Sequence, residues 1–261
     1  MGISLLPTPV LAQQVAVAAY FAQLSAIAYC PSVYADQQWT LTMCTSALPD
    51  GQLQTTFHGG LHDTTGYVVT SVSEKTIFVA FRGTNTLPQL ITDLELSLMT
   101  YPPVPSAGVE TGFYDSYLEV QNIVVSTVAN LLQQHPDYVV KVTGHSLGAA
   151  QASIATLDLY QRLDSISPRN IALYTYGEPR VGDKNFSAYI TSTGITHVRV
   201  VHHADVITYL PLVSQGYLHA GEEYWITDVL GDTTERCESA FESPYCSNRL
   251  VLEGNLADHL L

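Results

Sequence analysis

The chain has 261 residues, 46% of them apolar and 13% charged, and its 10 Lys and Arg against 24 Asp and Glu give a net charge of −14 with histidine neutral. That length and apolar fraction suffice to bury a large core, which excludes a disordered chain. No Lys or Arg precedes Lys75, so the basic patch that nucleic acid or an anionic membrane surface requires is missing and neutral substrates fit better.

Met1-Gly2-Ile3 lacks the basic start of a secretory signal, so Met1 is not read as a natural secretory start. From Pro9 to Tyr29, Val15, Ala18, Ala19, Ala22 and Ala26 recur at helical spacings, and Pro31 stops the pattern. Gln13 and Gln14 interrupt this most apolar stretch, so no run reaches the roughly 18–20 residues of a membrane span. β-Rich runs follow at Gln52–His58, Gly66–Val72, Thr76–Arg82, Tyr138–Thr143, Ile171–Tyr176 and Thr196–His202. Helical segments are predicted at Gly112–Gln134, Leu147–Leu163 and Asp183–Ser192. The alternation predicts one α/β domain over residues 1–261. It would contain a mostly parallel sheet covered by helices on both faces, with an antiparallel edge near the N-terminus.

Gly144-His145-Ser146-Leu147-Gly148 follows a β-rich run and opens a helix. A GxSxG in that setting is a nucleophile elbow, in which small residues let two backbones approach around a strained serine. Serine needs a histidine base and a carboxylate to orient it. The order Ser, acid, His points to Asp205, at the C-terminal end of the Thr196–His202 run, ahead of Asp183, Asp228 and Asp232. Two histidines follow, His219 and His259, and spacing does not choose between them. His145 is expected to point to the opposite side of the strained turn. His58 and His62 stand at i, i+4, but Gly59 and Gly60 disfavour the helix a metal face would need, and a metal at His202, His203 and Asp205 is the weaker reading of those residues. No metal site is expected.

Two donors for the oxyanion are expected from the backbone N–H of Leu147 and from the Phe81-Arg82-Gly83-Thr84 loop, where Thr84 adds a hydroxyl. Downstream, Leu87, Leu90, Ile91 and Leu94 lie on one face of a short amphipathic helix, with Thr86 as N-cap and Pro88 in the first turn. Such a helix depends on what it packs against, and its place beside the oxyanion loop favours a mobile cover over a plain surface helix.

The blocks Phe81-Arg82-Gly83-Thr84, Val142-Thr143-Gly144-His145-Ser146-Leu147-Gly148, Asp158-Leu159-Tyr160-Gln161-Arg162, Gly177-Glu178-Pro179-Arg180-Val181-Gly182 and His219-Ala220-Gly221-Glu222-Glu223-Tyr224-Trp225-Ile226 together resemble the filamentous-fungal class 3 lipases of the Rhizomucor and Rhizopus type. The likeness runs in order from about Ser25 onward. It implies an α/β-hydrolase fold, with Ser146 as nucleophile, Asp205 as triad acid and His259 as base. It further implies an oxyanion hole at Thr84 and Leu147, and a lid over about residues 85–96 that rolls back at an oil–water interface. A disulfide between Cys237 and Cys246 follows from the same pattern. The family's usual partners for Cys30 and Cys44 are not found, so these two are expected to pair with one another.

The chain departs from that pattern in several places. Leu90 replaces a lid tryptophan common in relatives, Glu110-Thr111-Gly112-Phe113 replaces a His-x-Gly-Phe block, and Ala149 stands where lipases carry glycine and feruloyl esterases alanine. The chain stops two residues after His259, whereas the family runs on to a further cysteine, so a truncation after Leu261 is also an expectation. Asn185-Phe186-Ser187 has the form of an N-glycosylation acceptor. The sequence reading is a secreted, cofactor-independent lipase acting on acylglycerols. Its alternatives are an esterase for feruloyl or other soluble esters, and an inactive hydrolase fold that serves as a binding module.

Overall fold

The computed structural model describes residues 6–35, 37–84, 97–231, 233–237 and 242–260. The proposed lid, with Leu87, Leu90, Ile91 and Leu94, lies outside them, as does Asp232. The strands in chain order are β1 (Thr8–Pro9), β2 (Gln52–His58), β3 (Thr65–Ser71), β4 (Thr76–Phe81), β5 (Leu98–Thr100), β6 (Gly108–Glu110), β7 (Val139–His145), β8 (Ile171–Tyr176), β9 (Gly182–Asp183), β10 (Thr196–His202), β11 (Tyr217–Leu218), β12 (Glu222–Ile226) and β13 (Thr234–Cys237). The helices are α1 (Ala12–Ile27), α2 (Pro31–Ala35), α3 (Thr42–Ala47), α4 (Thr111–Leu118), α5 (Gln121–Gln134), α6 (Leu147–Arg162) and α7 (Lys184–Ser192).

Among the described residues, nine strands form the main sheet in the order β1-β13-β12-β10-β8-β7-β4-β3-β2, and β5, β6, β9 and β11 form a small second sheet. From β4 to β12 the pairings are parallel, while β2 and β3 make the expected antiparallel edge. The short β13 and β1 add an antiparallel edge at the other side that hydropathy alone does not mark. This is the α/β-hydrolase arrangement.

Alternation along the strands divides the core in two. Val68, Ile77, Val79, Val140, Val142 and Leu173 face the layer of α4, α5 and α6, whereas Tyr67, Val69, Phe78 and Ala80 face α1. On α1 the face that packs is Ala18, Phe21, Leu24, Ser25 and Ile27, turned away from much of the alanine stripe. Phe21 lies flat on the Tyr174 ring at 4.3 Å, and bulk of this kind, rather than alanine, decides which way the helix faces.

The helix expected over Gly112–Gln134 is two helices broken at Glu119–Val120. The Glu119 carboxylate accepts the backbone N–H of Leu61 (3.0 Å) and His62 (3.1 Å), which ties a loop to the break. Glu110, the departure from the family block, is buried and caps α4 by accepting the Phe113 N–H at 2.6 Å. Asn185 sits on α7 with its amide donated to the Ser106 carbonyl, and Ser187 of the same triplet is buried.

Cys237 and Cys246 are joined in a disulfide. The expected Cys30–Cys44 pair is corrected by the structure, since both are free thiols. Cys44 is buried on α3 inside the apolar cluster beneath α1, and Cys30 is half-buried against that cluster, so each side chain is taken up by apolar packing; burial pushes both thiols up, away from the reactive thiolate.

Helix α6 is buried from Gly148 through Leu159, so its polar members must find internal partners. Gln151 donates to Thr64 and Ser116, and Asp158 accepts from Tyr117, Gln121 and Arg162. The first turn of α6 passes so near β4 that a Cβ on Gly148 would lie 2.5 Å from the Phe81 carbonyl oxygen. Gly148→Ala is therefore expected to destabilise the fold by about 1–3 kcal/mol or more. Gly60→Ala, which meets nothing within 4 Å, should stay within about 0.5 kcal/mol. Urea denaturation of both variants checks the pair.

Candidate active site

Ser146 stands between β7 and α6 at φ 59° and ψ −130°, a strained backbone for a residue with a Cβ. It is held there from both sides: its N–H donates to the Tyr176 carbonyl (2.9 Å), and its own carbonyl accepts from Ala149 (2.9 Å). A Cβ on Gly144 would fall 2.2 Å from the Gly148 carbonyl oxygen, so this crossing of strand and helix tolerates no side chain. Ser146 is fully buried, and its Oγ has no hydrogen-bond partner among the described residues.

Asp205 follows β10 and opens a short 3-10 turn, with Oδ1 accepting the Ile207 N–H at 2.9 Å. His259 Nδ1 lies 2.9 Å and 2.8 Å from the two Asp205 carboxylate oxygens, and both side chains are buried. Because a carboxylate only accepts, Nδ1 carries the proton and Nε2 presents a lone pair. That Nε2 is buried without a partner among the described residues, as is the Ser146 hydroxyl. A hydroxyl and an imidazole nitrogen left without other partners are the two groups that a nucleophile and its general base need free.

His259 is anchored by its neighbours. Asp258 beside it accepts the Ala204 N–H (3.1 Å) and binds His203 Nδ1 (2.8 Å), and its carbonyl meets His202 Nδ1 at 3.0 Å. Asn255 bridges to the Asp205 backbone. The turn Ala257–Leu260 is thus stapled to the end of β10, and His202 and His203 serve that attachment. Among the described residues no His, Cys, Asp and Glu group has metal-holding geometry.

The other candidates go elsewhere. His219 is buried with Nε2 on the Thr208 carbonyl at 2.8 Å, and burial together with Arg199 holds it well below the usual histidine range. Asp183 caps α7 through the Phe186 N–H, and Asp228 accepts from Leu230 and Thr233 in a surface turn. His62 pairs with Glu119 and His58 with Thr65, away from one another.

His145 corrects the expectation that it turns away from the site. Its ring stacks on His259 with centroids 4.5 Å apart, and its Nε2 lies 3.0 Å from the His259 carbonyl oxygen. The elbow motif places this residue beside the nucleophile, but a neighbour 114 residues away in sequence leaves no local trace.

At the oxyanion loop, the Arg82 guanidinium is 2.5 Å from an Asp63 oxygen, and the Gly83 N–H donates to Tyr29 Oη at 3.1 Å. A Cβ on Gly83 would touch the His145 carbonyl oxygen (2.6 Å) and Ser146 Cβ (2.9 Å), so this loop lies directly against the elbow. Thr84 closes the described part of the loop, and Leu147 begins α6, where helix N–H groups point outward. Behind the base, Val15, Ala18, Ala19 and Ala22 of α1 border an apolar cavity of about 320 Å³ that reaches His145 and His259.

Residues 78–215 match the family model described as Lipase (class 3). The chain is 44% identical over 241 residues to a lipase of Rhizomucor miehei, covering 92% of this chain and 66% of that protein. It therefore spans just under two thirds of that relative's length. The solved structure of Rhizomucor miehei triacylglyceride lipase is similar with a TM-score of 0.93 at 42% identity, over 97% of this chain and 96% of the other. Lipase II from Rhizopus niveus is similar with a TM-score of 0.95 at 41% identity, over 97% and 96%.

Two predictions follow from this geometry. Gly177 has φ +55°, and a Cβ there would lie 2.6 Å from His259 Cε1 and 2.8 Å from Asp205 Oδ2. Gly177→Ala should displace the histidine and the acid and lower the rate of Ser146 modification by a serine-directed phosphonate by about a hundredfold. The second concerns acid. Burial, with His259 beside it, pushes His145 down to about 4, whereas an unfolded histidine titrates near 6.5. Between those values the unfolded chain binds the proton that the native state refuses, so stability is full above about 6.5 and is lost as pH falls toward 4. Denaturation midpoints across that window should fall less steeply in His145→Gln than in the parent.

Proposed function

The chain belongs to the class 3 lipase family, and from that footing we propose that it is a secreted serine hydrolase that cleaves the carboxylic esters of acylglycerols. The observation that carries the reading is the grip of both Asp205 oxygens on His259 Nδ1, which leaves the Nε2 lone pair buried and unpaired in the same site as the unpaired Ser146 hydroxyl.

Ser146 attacks the ester carbonyl as His259 Nε2 takes its proton. Asp205 holds the imidazole and stabilises the cation that forms. The negative charge on the carbonyl oxygen is met by the N–H groups of Leu147 and Thr84, with the Thr84 hydroxyl as a third donor. His259 then gives its proton to the leaving alcohol, the acyl group remains on Ser146, and a water activated in the same way releases the acid. The residues supply all of this chemistry without a cofactor.

Acylglycerols are favoured over feruloyl esters because the similar Rhizomucor miehei structure is that of a triacylglyceride lipase. The apolar stripe Leu87, Leu90, Ile91 and Leu94 next to Thr84 in sequence supports a lid that exchanges the protein for oil as its apolar partner. No helix among the described residues is long and apolar enough to cross a membrane. The excess of 24 acidic over 10 basic residues disfavours retention of the fatty-acid anion released from a neutral ester.

A serine-directed phosphonate should label Ser146, and Ser146→Ala should be inert toward it and toward ester. Asp205→Asn should lower kcat by about 10³–10⁴ by allowing the wrong imidazole tautomer. Rates on emulsified trioleoylglycerol should rise once substrate exceeds its solubility, whereas higher turnover on methyl ferulate would favour the esterase reading. Full activity in Ser146→Ala would sink the mechanism.

A further inference from the structure

Three parts of the site come from distant parts of the chain: the oxyanion loop after β4, the serine after β7, and the base at residue 259. One hydrogen-bond chain joins them. The His259 carbonyl can only accept, so the 3.0 Å contact from His145 Nε2 requires Nε2–H. A neutral imidazole with Nε2–H has a bare Nδ1, and the 2.6 Å contact there must come from the Tyr29 hydroxyl as donor. The Tyr29 oxygen in turn accepts the Gly83 N–H at 3.1 Å. Every proton in the path from Gly83 to His259 therefore has one place to sit.

From this we propose that Tyr29 and His145 are positioning residues that set the oxyanion loop and the histidine base in register with Ser146, a role that rests on the triad reading above. His145 does so in three ways at once. It is bonded covalently to Ser146, it meets the His259 backbone through Nε2, and its ring lies on the His259 ring at 4.5 Å and 30°. Tyr29 extends this hold to Gly83, the residue before Thr84. Burial keeps the phenol protonated, pushing it up to about 12, and keeps the imidazole neutral, so the chain of donors does not reverse over the pH range where the base must work. A neutral, polarisable ring against His259 also tolerates the imidazolium that forms during turnover, where a charged neighbour would oppose it.

The test uses the whole chain and p-nitrophenyl butyrate below its solubility limit, so that interfacial events do not enter. Tyr29→Phe removes one oxygen and leaves both Gly83 N–H and His145 Nδ1 without a partner. It should lower kcat by about tenfold to a hundredfold with KM within about twofold, because misplacement of reacting groups costs rate rather than ground-state binding. The two orphaned groups should lower the thermal midpoint, and the rate of Ser146 phosphonylation, measured well below that midpoint where the variant is fully folded, should fall by the same factor as kcat. His145→Phe keeps a stacked ring and removes both hydrogen bonds, and the double variant should be little worse than either single one, since all three break the same path. A kcat within twofold of the parent in Tyr29→Phe, a loss that vanishes at temperatures where the variant is fully folded, or additive losses in the double variant would overturn the proposal. An active Ser146→Ala would instead overturn the triad reading, whereas an inert Ser146→Ala beside an unimpaired Tyr29→Phe removes only this role.

Discussion

The close approach of α6 to the ends of β4 and β7 is the constraint on which the rest of the structure depends. Gly144 and Gly148 let one backbone pass over another at distances that no Cβ tolerates, and the turn between them forces Ser146 into a positive φ. A strained residue persists only where its surroundings determine it more strongly than its own preference. Here the surroundings are the parallel strands β4, β7 and β8, which fix the carbonyls that the turn must meet. Once the hydroxyl is fixed at that end of the sheet, every other participant has to be brought to it, and the remaining elements show how.

The acid follows β10 and the base lies on the Ala257–Leu260 turn stapled to the end of that strand, and buried polar side chains tie together the segments around them. Arg180 donates to the carbonyls of Tyr209 and Pro211 and pairs with Glu242, while Arg199 pairs with Glu223 and donates to Ala220. Glu178 accepts from Ser153 and Thr175 and meets His197. Burying so many charges is costly, and such groups are rarely worth much net stability. What they supply is geometry: Arg180 ties the loop after β8 to the segment 209–211 that follows Asp205, and Arg199 joins β10 to β12. Burial alone would push the Glu178 carboxyl up, yet His197 and its neighbours outweigh it and hold the group below its ordinary value. The paired state is thereby maintained.

Much of the framework is legible before any coordinates, because strands and helices announce themselves by short-range periodicity. The runs at Gln52–His58, Thr196–His202 and Ile171–Tyr176 appear with the same bounds. The break at Glu119–Val120 is invisible, since nothing local distinguishes a solvated glutamate from one that captures a loop 57 residues away. Spacing does not choose between His259 and His219, and the family likeness favours His259. In the structure their environments differ sharply: His219 is enclosed by Arg180, Arg199 and Glu242, and His259 faces a carboxylate. The part played by His145 has no local sequence signal, because its partners Tyr29 and His259 lie 116 and 114 residues away.

The staple made by Asp258 has a consequence for biosynthesis. His259 follows every strand of the sheet in chain order, yet it is held by Ala204 and His203, residues that are translated some fifty positions earlier. During translation, which proceeds at about 5–20 residues per second, the sheet, the elbow and the acid are all encoded before the ribosome reaches the base. Ser146 and Asp205 therefore precede their proton acceptor in order of synthesis. The contact between Asp205 and His259 thus depends on a capture by Ala204 and His203 that can form only after every described strand of the sheet has been made.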